Sequence, residues 1–562
     1  MPKHTFDYDL IVIGSGAAGS AAATIVARAG KRVAIIEEDT FGGDSPNWGN
    51  IPTKSLLHVA RIYDEARHAN RFGLRTSTLG YNYPSIRAWK DLAVKRTGAA
   101  NNRHFYENNG VAAFQGKAHF LTPHEITVNR RHLSAAHFLV ATGSSWVTPE
   151  IHGLDTVPYF TPRTILETLR PPKSLFIIGG GEYGVEIAQL MATFGTKVYI
   201  AEQAGRILPH QDAEVGETIE RVLTEQKGVT VLTHSRVLSV EKEGLTKKIL
   251  ISRAGTQKHI KADEILIAAG RQPNVDAGLE NASVAYTAKG VEVNDFLQTS
   301  TKHIYAAGDV LGRDGHTHSA LLESKIVAHN ILERTKTSPN YTATPGIIFT
   351  TPEVATVGLS EDDCRRRDVS INKAVAPLSI ISRSNTADFR DGFVKIITDK
   401  KGVVLGGTIV APHAGDMIQE IGLAVKHSLT AAQIAEPKVK LIPPTKYRGR
   451  LTGSKRKTVS TKIQKSTAKP RVTSELTRKL KSSKPVVQAK LAPTPLDKPK
   501  PGARTIKLPL RSMEPAPPAA PKITPPPSNT EKVKPLVAKL STPKPQEKQQ
   551  ASLQTSGRTT EP

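Results

Sequence analysis

Residues 8–37, YDLIVIGSGAAGSAAATIVARAGKRVAIIE, decide the fold class. YDLIVI predicts a buried strand, the small-residue run predicts a helix, and RVAIIE predicts the next strand. Gly14, Gly16 and Gly19 form a G-x-G-x-x-G motif at the strand–helix junction, the context that dinucleotide binding requires. They provide, in order, a tight turn, access of a pyrophosphate to the backbone, and close helix–strand packing. Glu37 ends the second strand, where a carboxylate can accept hydrogen bonds from the hydroxyl groups of a ribose.

The same pattern returns at residues 174–202, SLFIIGGGEYGVEIAQLMATFGTKVYIAE. Gly179, Gly181 and Gly184 form the second motif, and Glu202 ends its second strand. A carboxylate there favours the free 2′-hydroxyl of NADH and repels the 2′-phosphate of NADPH. Arg206 either softens that preference or is an ordinary loop cation. Two motifs in one chain predict FAD and a pyridine nucleotide, with NADH preferred over NADPH.

The order of elements predicts an α/β fold with two Rossmann-like dinucleotide-binding domains, because strands alternate with helices in parallel sheets. The pattern changes between residues 346 and 435. GFVKIITDKKGVVLGGTIV predicts a hairpin, and AGDMIQEIGLAVKHSL predicts an amphipathic helix. This segment is therefore expected to form a separate α+β domain.

The net charge of +26 is concentrated in residues 437–562, which hold 29 Lys and Arg against 6 Asp and Glu. This stretch also holds 21 prolines and a single aromatic residue, Tyr447. Such a composition predicts a disordered basic tail. The tail is expected to bind nucleic acid or an anionic membrane surface without sequence specificity. A spacer or solubilising role is the alternative. Residues 1–436 are nearly neutral, which excludes a wholly basic nucleic-acid binder.

Cys364 is the single cysteine of the chain, which excludes an intrachain disulfide and a cysteine-based zinc site. His316 and His318 lack accompanying ligands, so no metal site is predicted. No apolar run reaches the length of a transmembrane helix. The first motif begins at Gly14, which leaves no room for a secretory signal. We expect a cytoplasmic protein.

Further motifs occur in a familiar order along residues 6–436: GSGAAG, FGGDSPNWGNIPTK, LVATGS, IIGGGEYGVE, IAAGRQPN, YAAGDV and FTTPEVATVGLSE. This series resembles the class I pyridine nucleotide–disulfide oxidoreductases, which include dihydrolipoamide dehydrogenase, mercuric reductase and soluble transhydrogenase. The resemblance implies an FAD domain at 1–150 and 266–340, an NAD(P) domain at 151–265 and a dimerisation domain at 341–436. The tail at 437–562 follows, and the protein is expected to be a homodimer.

The resemblance also implies roles for individual residues. Asp309 of AGD would bind the flavin ribityl chain, and Thr142, Gly143 and Gly270 would lie along the nucleotide sites. His318 would lie at the helix N-terminus that faces the flavin. Two residues are implied to be catalytic: Lys54 and Glu186 would form an ion pair beside the flavin, near the nicotinamide.

The segment that carries the family's redox chemistry departs from the pattern. The family reads GGTCxNxGCIPTK, whereas this chain has Ser45 and Asn50 at the two cysteine positions. Neither side chain forms a disulfide or a thiolate. The family's C-terminal His-Glu pair aligns with Pro443 and Arg448, and no histidine follows His427. The disulfide reaction is therefore expected to be lost.

These observations predict an FAD-dependent NAD(P)H oxidoreductase without a redox-active disulfide, which passes electrons to a small-molecule acceptor. A quinone, dioxygen, a dye, a metal or a second pyridine nucleotide remains possible as acceptor. A transhydrogenase is the first alternative. An alternative of another class is a redox-silent FAD and NADH sensor or scaffold. Trp48, beside the altered segment, either packs in the core or stacks near the flavin.

Overall fold

The computed structural model describes residues 5–75, 78–313 and 315–436. The predicted tail at 437–562, with Pro443 and Arg448, lies outside the described residues. The strands are β1 (Tyr8–Ile13), β2 (Val33–Glu37), β3 (Val111–Gln115), β4 (Ala118–Thr122), β5 (Glu125–Val128), β6 (Arg131–Val140), β7 (Ser144–Trp146), β8 (Ser174–Ile178), β9 (Lys197–Ala201), β10 (Thr230–Leu232), β11 (Ser235–Glu243), β12 (Thr246–Arg253), β13 (Thr256–Ala262), β14 (Glu264–Ile267), β15 (Arg271–Pro273), β16 (Tyr286–Thr287), β17 (Gly290–Val291), β18 (Ile304–Ala306), β19 (Gly346–Ile348), β20 (Glu353–Gly358), β21 (Asn372–Pro377), β22 (Phe393–Thr398) and β23 (Val404–Ala411).

The α-helices are α1 (Ala17–Arg28), α2 (Asp44–Asn47), α3 (Asn50–Arg67), α4 (Tyr83–Arg96), α5 (Arg103–Asn108), α6 (Glu182–Thr193), α7 (Ala213–Arg221), α8 (Thr317–Leu332), α9 (Glu361–Arg366), α10 (Ser382–Thr386), α11 (Ala414–Lys426) and α12 (Ala431–Ala435). Short 3₁₀ turns occur at Ala69–Phe72, Leu154–Thr156, Ile165–Glu167, Leu279–Ala282, Asp309–Leu311 and Leu378–Ile380. A π-helical segment, Val222–Gln226, follows α7.

The first glycine motif lies at the end of a parallel sheet with strand order β3-β2-β1-β6-β18. The first part of β6 also pairs antiparallel with β5, which continues to β4. The apolar strand β1 is central and its last four residues are buried. Helix α1 packs against α8 on one face, and its alanines let the helix lie close to the sheet.

The second glycine motif lies in a smaller parallel sheet with strand order β10-β9-β8-β14. Helix α6 connects β8 to β9, as the βαβ pattern predicts. An antiparallel sheet, β11-β12-β13, adjoins it and buries a separate apolar cluster. The two short strands β7 and β15 pair with each other. They lie where the chain leaves the first parallel sheet for the second and where it returns.

The C-terminal part is an antiparallel sheet with strand order β19-β20-β23-β22-β21. β22 and β23 form the hairpin that the sequence predicts, and α11 covers the sheet. The predicted fold class is confirmed: two dinucleotide-binding α/β parts are followed by an α+β part. The predicted residue boundaries of the domains stay a prediction.

Candidate active site

A cavity of about 1970 Å³ opens at the carboxyl ends of β1 and β8, where open α/β sheets bind ligands. It is continuous from the first glycine motif to the second. Twelve of the fifteen sequence-predicted site residues line it: Gly14, Gly16, Glu37, Lys54, Thr142, Gly143, Gly179, Gly181, Glu186, Glu202, Gly270 and Asp309. The fold thus brings together residues from six separate sequence motifs.

Two glycines of the first motif show why no other residue fits the turn. Gly14 has φ +100°, and an added Cβ would collide with the carbonyl oxygen of Ala141. A Cβ added at Gly19 would collide with the carbonyl oxygen of Gly14, which fits the predicted role of Gly19 in helix–strand packing. Gly16 differs, because its Cβ would meet nothing within 4 Å and would enter the cavity.

The second motif repeats this arrangement. Gly179 has φ +111°, Gly184 packs against the carbonyl of Gly179, and Gly181 faces open space. Neither α1 nor α6 has a side chain capping its first amides. Uncapped amides at a helix N-terminus bind phosphate. Each glycine motif and the helix N-terminus that follows it form a cradle, and both cradles fit the pyrophosphate of a dinucleotide.

Replacing Gly16 by Ala is expected to weaken FAD binding while leaving the fold intact. The backbone at Gly16 is extended, which any residue adopts, so the new methyl group affects only the cradle. Overpacking costs about 1–3 kcal/mol, roughly 5- to 150-fold in affinity. Gly181→Ala is the matched control, because it alters the other cradle and should weaken NADH binding alone. FAD titration of the apoprotein and NADH titration of the holoprotein check this, and equal effects of both variants on FAD would contradict it.

The two strand-end carboxylates are held by their own glycine loops. Glu37 accepts hydrogen bonds from Ser15 N (3.0 Å), Ser15 Oγ (2.5 Å) and Asp39 N (2.9 Å). Glu202 accepts from Gly180 N and Ala204 N, both at 2.7 Å. Glu37 Oε1 and both oxygens of Glu202 accept one hydrogen bond each, so both carboxylates still have acceptor capacity for a ribose.

Arg206 does not face this cavity. Its guanidinium donates to the carbonyl oxygens of Pro209 (3.2 Å) and Gln211 (3.1 Å). It is also 4.0 Å from Asp362. These contacts make Arg206 a loop cation, the second of the two readings that the sequence left open.

Asp309 and the residues that hydrogen-bond near it line the cavity. Asp309 accepts a hydrogen bond from Ser144 Oγ at 2.7 Å. Thr142 exchanges hydrogen bonds with Asn274 at 2.6 and 3.0 Å. Gly143 and Gly270 have φ of +72° and +110° and leave the backbone open to the cavity.

His318 lies at the N-terminus of α8, as the resemblance implies, and its role in cofactor binding stays a prediction. It is the second residue of α8 and is exposed, outside the cavity lining. His316, at the cap position of α8, and Thr317 line the cavity instead. The helix N-terminus therefore faces the cavity, but through the two residues that precede His318.

Lys54 and Glu186 form an ion pair across the boundary between α3 and α6. Lys54 Nζ lies 2.8 Å and 3.1 Å from the two carboxylate oxygens of Glu186. The Glu186 side chain is only 3 % exposed and also accepts from Phe349 N at 2.8 Å. Lys54 keeps 21 % of its side chain exposed, so the ammonium is held rigidly yet remains available to the cavity.

The two positions where the resemblance expects cysteines hold a polar bridge. Asn50 Nδ2 donates to Ser45 Oγ (3.3 Å) and to Thr317 Oγ1 (2.9 Å). All three residues line the cavity. Cys364 is buried in α9 and does not line it. The described residues of the cavity thus offer no thiol.

Charged residues that the sequence reasoning missed surround this bridge. Arg271 donates to Asp44 Oδ2 (2.5 Å) and to Ser144 Oγ (2.8 Å), and its guanidinium lies 4.7 Å from the centre of the Trp146 ring. Arg271 belongs to the IAAGRQPN motif, and this membership was the one feature of the sequence that could have indicated a role for it at the site. Asp44 stands where the family pattern has Thr, so the resemblance gave no role to it.

Trp48 lies at the cavity wall under the guanidinium of Arg163, which is 3.1 Å from its ring centre. Arg163 is also 2.7 Å from Asp39. Trp48 is thus partly exposed to the cavity rather than enclosed in the core.

Glu182, the first residue of α6, also lines the cavity. Burial raises the pKa of its carboxyl, with the neighbouring Glu186 acting in the same direction and His316 and Lys54 opposing it. Its signal in the sequence was the spacing of four residues between Glu182 and Glu186, which places both on one helix face.

Comparison with known proteins identifies the family. A family model described as pyridine nucleotide-disulphide oxidoreductase matches residues 8–327. The chain belongs to this family. The model of the family's dimerisation domain matches residues 344–446 and supports a homodimer. Members of the pyridine nucleotide-disulphide oxidoreductases bind FAD and use NAD(P)H, the two cofactors that the glycine motifs predict.

Curated relatives in this family carry two different activities. A mercuric reductase of Lysinibacillus sphaericus is 34 % identical over 433 residues, which cover 76 % of this chain and 79 % of the relative. A dihydrolipoyl dehydrogenase of Geobacillus stearothermophilus is 31 % identical over 436 residues, covering 76 % and 92 %.

A solved structure is similar as well. The HOCl-induced flavoprotein disulfide reductase RclA from Escherichia coli is 28 % identical, with a TM-score of 0.66, covering 75 % of this chain and 94 % of that protein. In the described part of the present chain, no helix is long and apolar enough to cross a membrane.

Proposed function

We propose that this protein is an FAD-dependent NAD(P)H oxidoreductase that delivers electrons to an acceptor other than a disulfide. FAD, when bound, accepts a hydride from the reduced pyridine nucleotide and makes its electrons available to a second substrate. The proposal rests above all on the polar bridge between Asn50 and Ser45, at the two positions where the family carries its redox cysteines. A side chain without a thiol neither exchanges with a disulfide nor binds mercuric ion as a thiolate.

The chain's own residues supply binding and electrostatics in this proposal. The cradles at Gly16 and Gly181 would hold the two pyrophosphates, and Asp309 would hold the ribityl chain. Lys54, fixed by Glu186, presents a positive charge to the cavity and would stabilise negative charge on the reduced flavin. A preorganised charge of this kind stabilises negative charge that develops during reaction without a cost of reorganisation.

Anaerobic addition of NADH to the purified yellow holoprotein tests the proposal. Loss of the flavin colour, followed by its return with a quinone, dye or metal acceptor, is the expected result. If NAD⁺ analogues restore the colour faster than any other acceptor, the protein is a transhydrogenase. A protein that binds NADH and keeps its colour is a redox-silent sensor, and that result contradicts the proposal.

NADH is expected to be preferred over NADPH by roughly tenfold or more in kcat/KM, about 1.4 kcal/mol. The Glu202 carboxylate lies in the second cradle and repels a 2′-phosphate. Glu202→Gln removes the charge, keeps the size and should shrink the ratio towards one. Glu65→Gln, on an exposed face of α3, is the control and should leave the ratio unchanged. Equal kcat/KM for both nucleotides in the parent protein would contradict the preference.

Two further parts of the proposal come from the sequence. The single cysteine fits a cytoplasmic location. The basic tail is proposed to bind polyanions without specificity, and the flavin reaction is proposed not to depend on it. Truncation after residue 436 should remove salt-sensitive retention on DNA or anionic vesicles while the NADH reaction keeps its rate.

A further inference from the structure

The wall segment, residues 42–48, lies against the first cradle. The amide of Gly42 donates a hydrogen bond to Ser15 Oγ at 2.9 Å. A Cβ added at Gly43 would be 2.6 Å from the Cα atom of Gly16, so the two backbones are in contact. Because Gly16 faces the cavity, the wall segment forms a second side to the place where a pyrophosphate would bind.

The far end of the wall segment is held by a stack of three side chains, Asp39, Arg163 and Trp48. The guanidinium of Arg163 lies 3.1 Å from the ring centre of Trp48 and 2.7 Å from a carboxylate oxygen of Asp39. All three residues line the cavity. The amide of Asp39 donates to the Glu37 carboxylate at 2.9 Å. The stack therefore extends from the end of β2, where the predicted ribose-binding carboxylate lies, to the wall segment.

Arg163 is anchored to the sheet that carries the second cradle. It lies in the passage between β7 and β8, three residues after Phe160. The amide of Phe160 donates to the carbonyl oxygen of Ile265 at 2.7 Å, and its carbonyl oxygen accepts from the amide of Ile267 at 2.8 Å. These bonds attach the passage to β14. The stack thus fastens the wall segment to a second, separately packed part of the fold.

The near end of the wall segment has a similar arrangement that is less exposed. Asp44 pairs with Arg271, whose guanidinium stacks on Trp146. Arg271 keeps 18 % of its side chain exposed, whereas Arg163 keeps 36 %. Ion pairs that are more exposed to water contribute less to stability. The Trp48 end is therefore the end of the wall segment that opens more easily.

We propose that the stack of Asp39, Arg163 and Trp48 is a latch that holds the wall segment closed over the first cradle and thereby limits the rate of FAD release. This inference rests on the FAD site of the proposed function and is independent of the electron acceptor. Arg163 and Trp48 are positioning residues, because they act on the cofactor through the wall segment. Opening breaks the cation–π contact and the ion pair, and the Trp48 end of the segment then moves away from the cradle.

Exchange of labelled FAD measures the release rate. Holoprotein that carries radiolabelled FAD is mixed with an excess of unlabelled FAD, and timed ultrafiltration gives the label that has left the protein. Arg163→Gln and Trp48→Ala should each speed release by about 5- to 30-fold, the factor expected for the loss of a partly desolvated cation–π contact. Arg163→Lys keeps the charge without the planar stacking surface and should give an intermediate rate.

Two further variants separate a latch from a general loss of rigidity. Arg221 pairs with Asp391 at 2.6 Å with similar exposure, and neither residue lines the cavity. Arg221→Gln is thus the matched control and should release FAD at the parent rate. The double variant Arg163→Gln with Trp48→Ala should stay within about twofold of either single variant, because both changes break the same stack.

Four results would overturn the latch. Release at the parent rate in both single variants means that the wall segment does not limit it. Faster release in Arg163→Gln alone means that Arg163 contacts the flavin nucleotide directly. Effects that multiply in the double variant mean two independent contributions, and faster release in Arg221→Gln means a general loss of rigidity. None of these assays uses NADH, so they fail or succeed separately from the proposed function, which fails if NADH does not bleach the flavin.

Discussion

Dihydrolipoamide, oxidised glutathione and mercuric ion are expected to be turned over at least about a thousandfold more slowly than the best non-thiol acceptor, by analogy with the loss of a nucleophile from other enzymes. Ser45 and Asn50 occupy the redox positions and bind each other instead of forming a disulfide. Steady-state assays with NADH or NAD⁺ on the full-length protein measure this. Robust turnover of any of the three substrates would show that the chain reacts through another group.

A double variant, Ser45→Cys with Asn50→Cys, is the informative control. Ser45 and Asn50 stand at the positions of the two cysteines in the family pattern, so the resemblance implies that a disulfide can form between the introduced cysteines. Thiol titration before and after reduction should reveal two additional thiols that are oxidised in the purified variant. Turnover of dihydrolipoamide should remain low, because the family's His-Glu acid/base pair aligns with Pro443 and Arg448 in the sequence. Full activity in the variant would contradict the loss of that acid/base pair.

The sequence predicted the cradles well because their physics is local. A turn such as that at Gly14 depends on backbone conformation and on the strand and helix that flank it, all within a few residues. The hairpin β22–β23 and helix α11 were found for the same reason. Hydrophobic periodicity and glycine placement carry this information directly.

Contacts between segments that are distant in the chain could not be predicted from the sequence. Arg271 and Asp44 are 227 residues apart, and nothing in either local pattern predicts their hydrogen bond. The start of α8 has a similar cause: the helix begins at Thr317, and its packing decides that His316 and Thr317 line the cavity while the side chain of His318 is exposed. Glu182 was visible as a spacing, but its burial follows from α3, α8 and the loop before α7 packing around it.

Lys54→Met is expected to slow reduction by NADH by about 10²- to 10³-fold, the range for removing one preorganised charge from a reaction site. The same change should lower the free energy of unfolding by about 3 kcal/mol, because it leaves the buried Glu186 carboxylate without its cation. We take the low end of the usual range because Lys54 keeps 21 % of its side chain exposed. Anaerobic stopped-flow absorbance measures the first effect, and urea unfolding of the holoprotein measures the second.

Two control variants separate the effect of the Lys54 charge on the rate of reduction from its effect on the stability of the fold. Lys54→Arg keeps the positive charge beside Glu186 and should recover most of the stability, but its planar guanidinium changes the geometry and should recover only part of the rate. Lys248→Met breaks the pair between Lys248 and Glu241 on the surface of β11 and β12, 2.7 Å apart, and should alter neither quantity measurably. If Lys54→Met loses stability and keeps its rate, the ion pair is purely structural. In that case the charge that assists reduction must come from another group in the cavity, and Arg271 is the first to test.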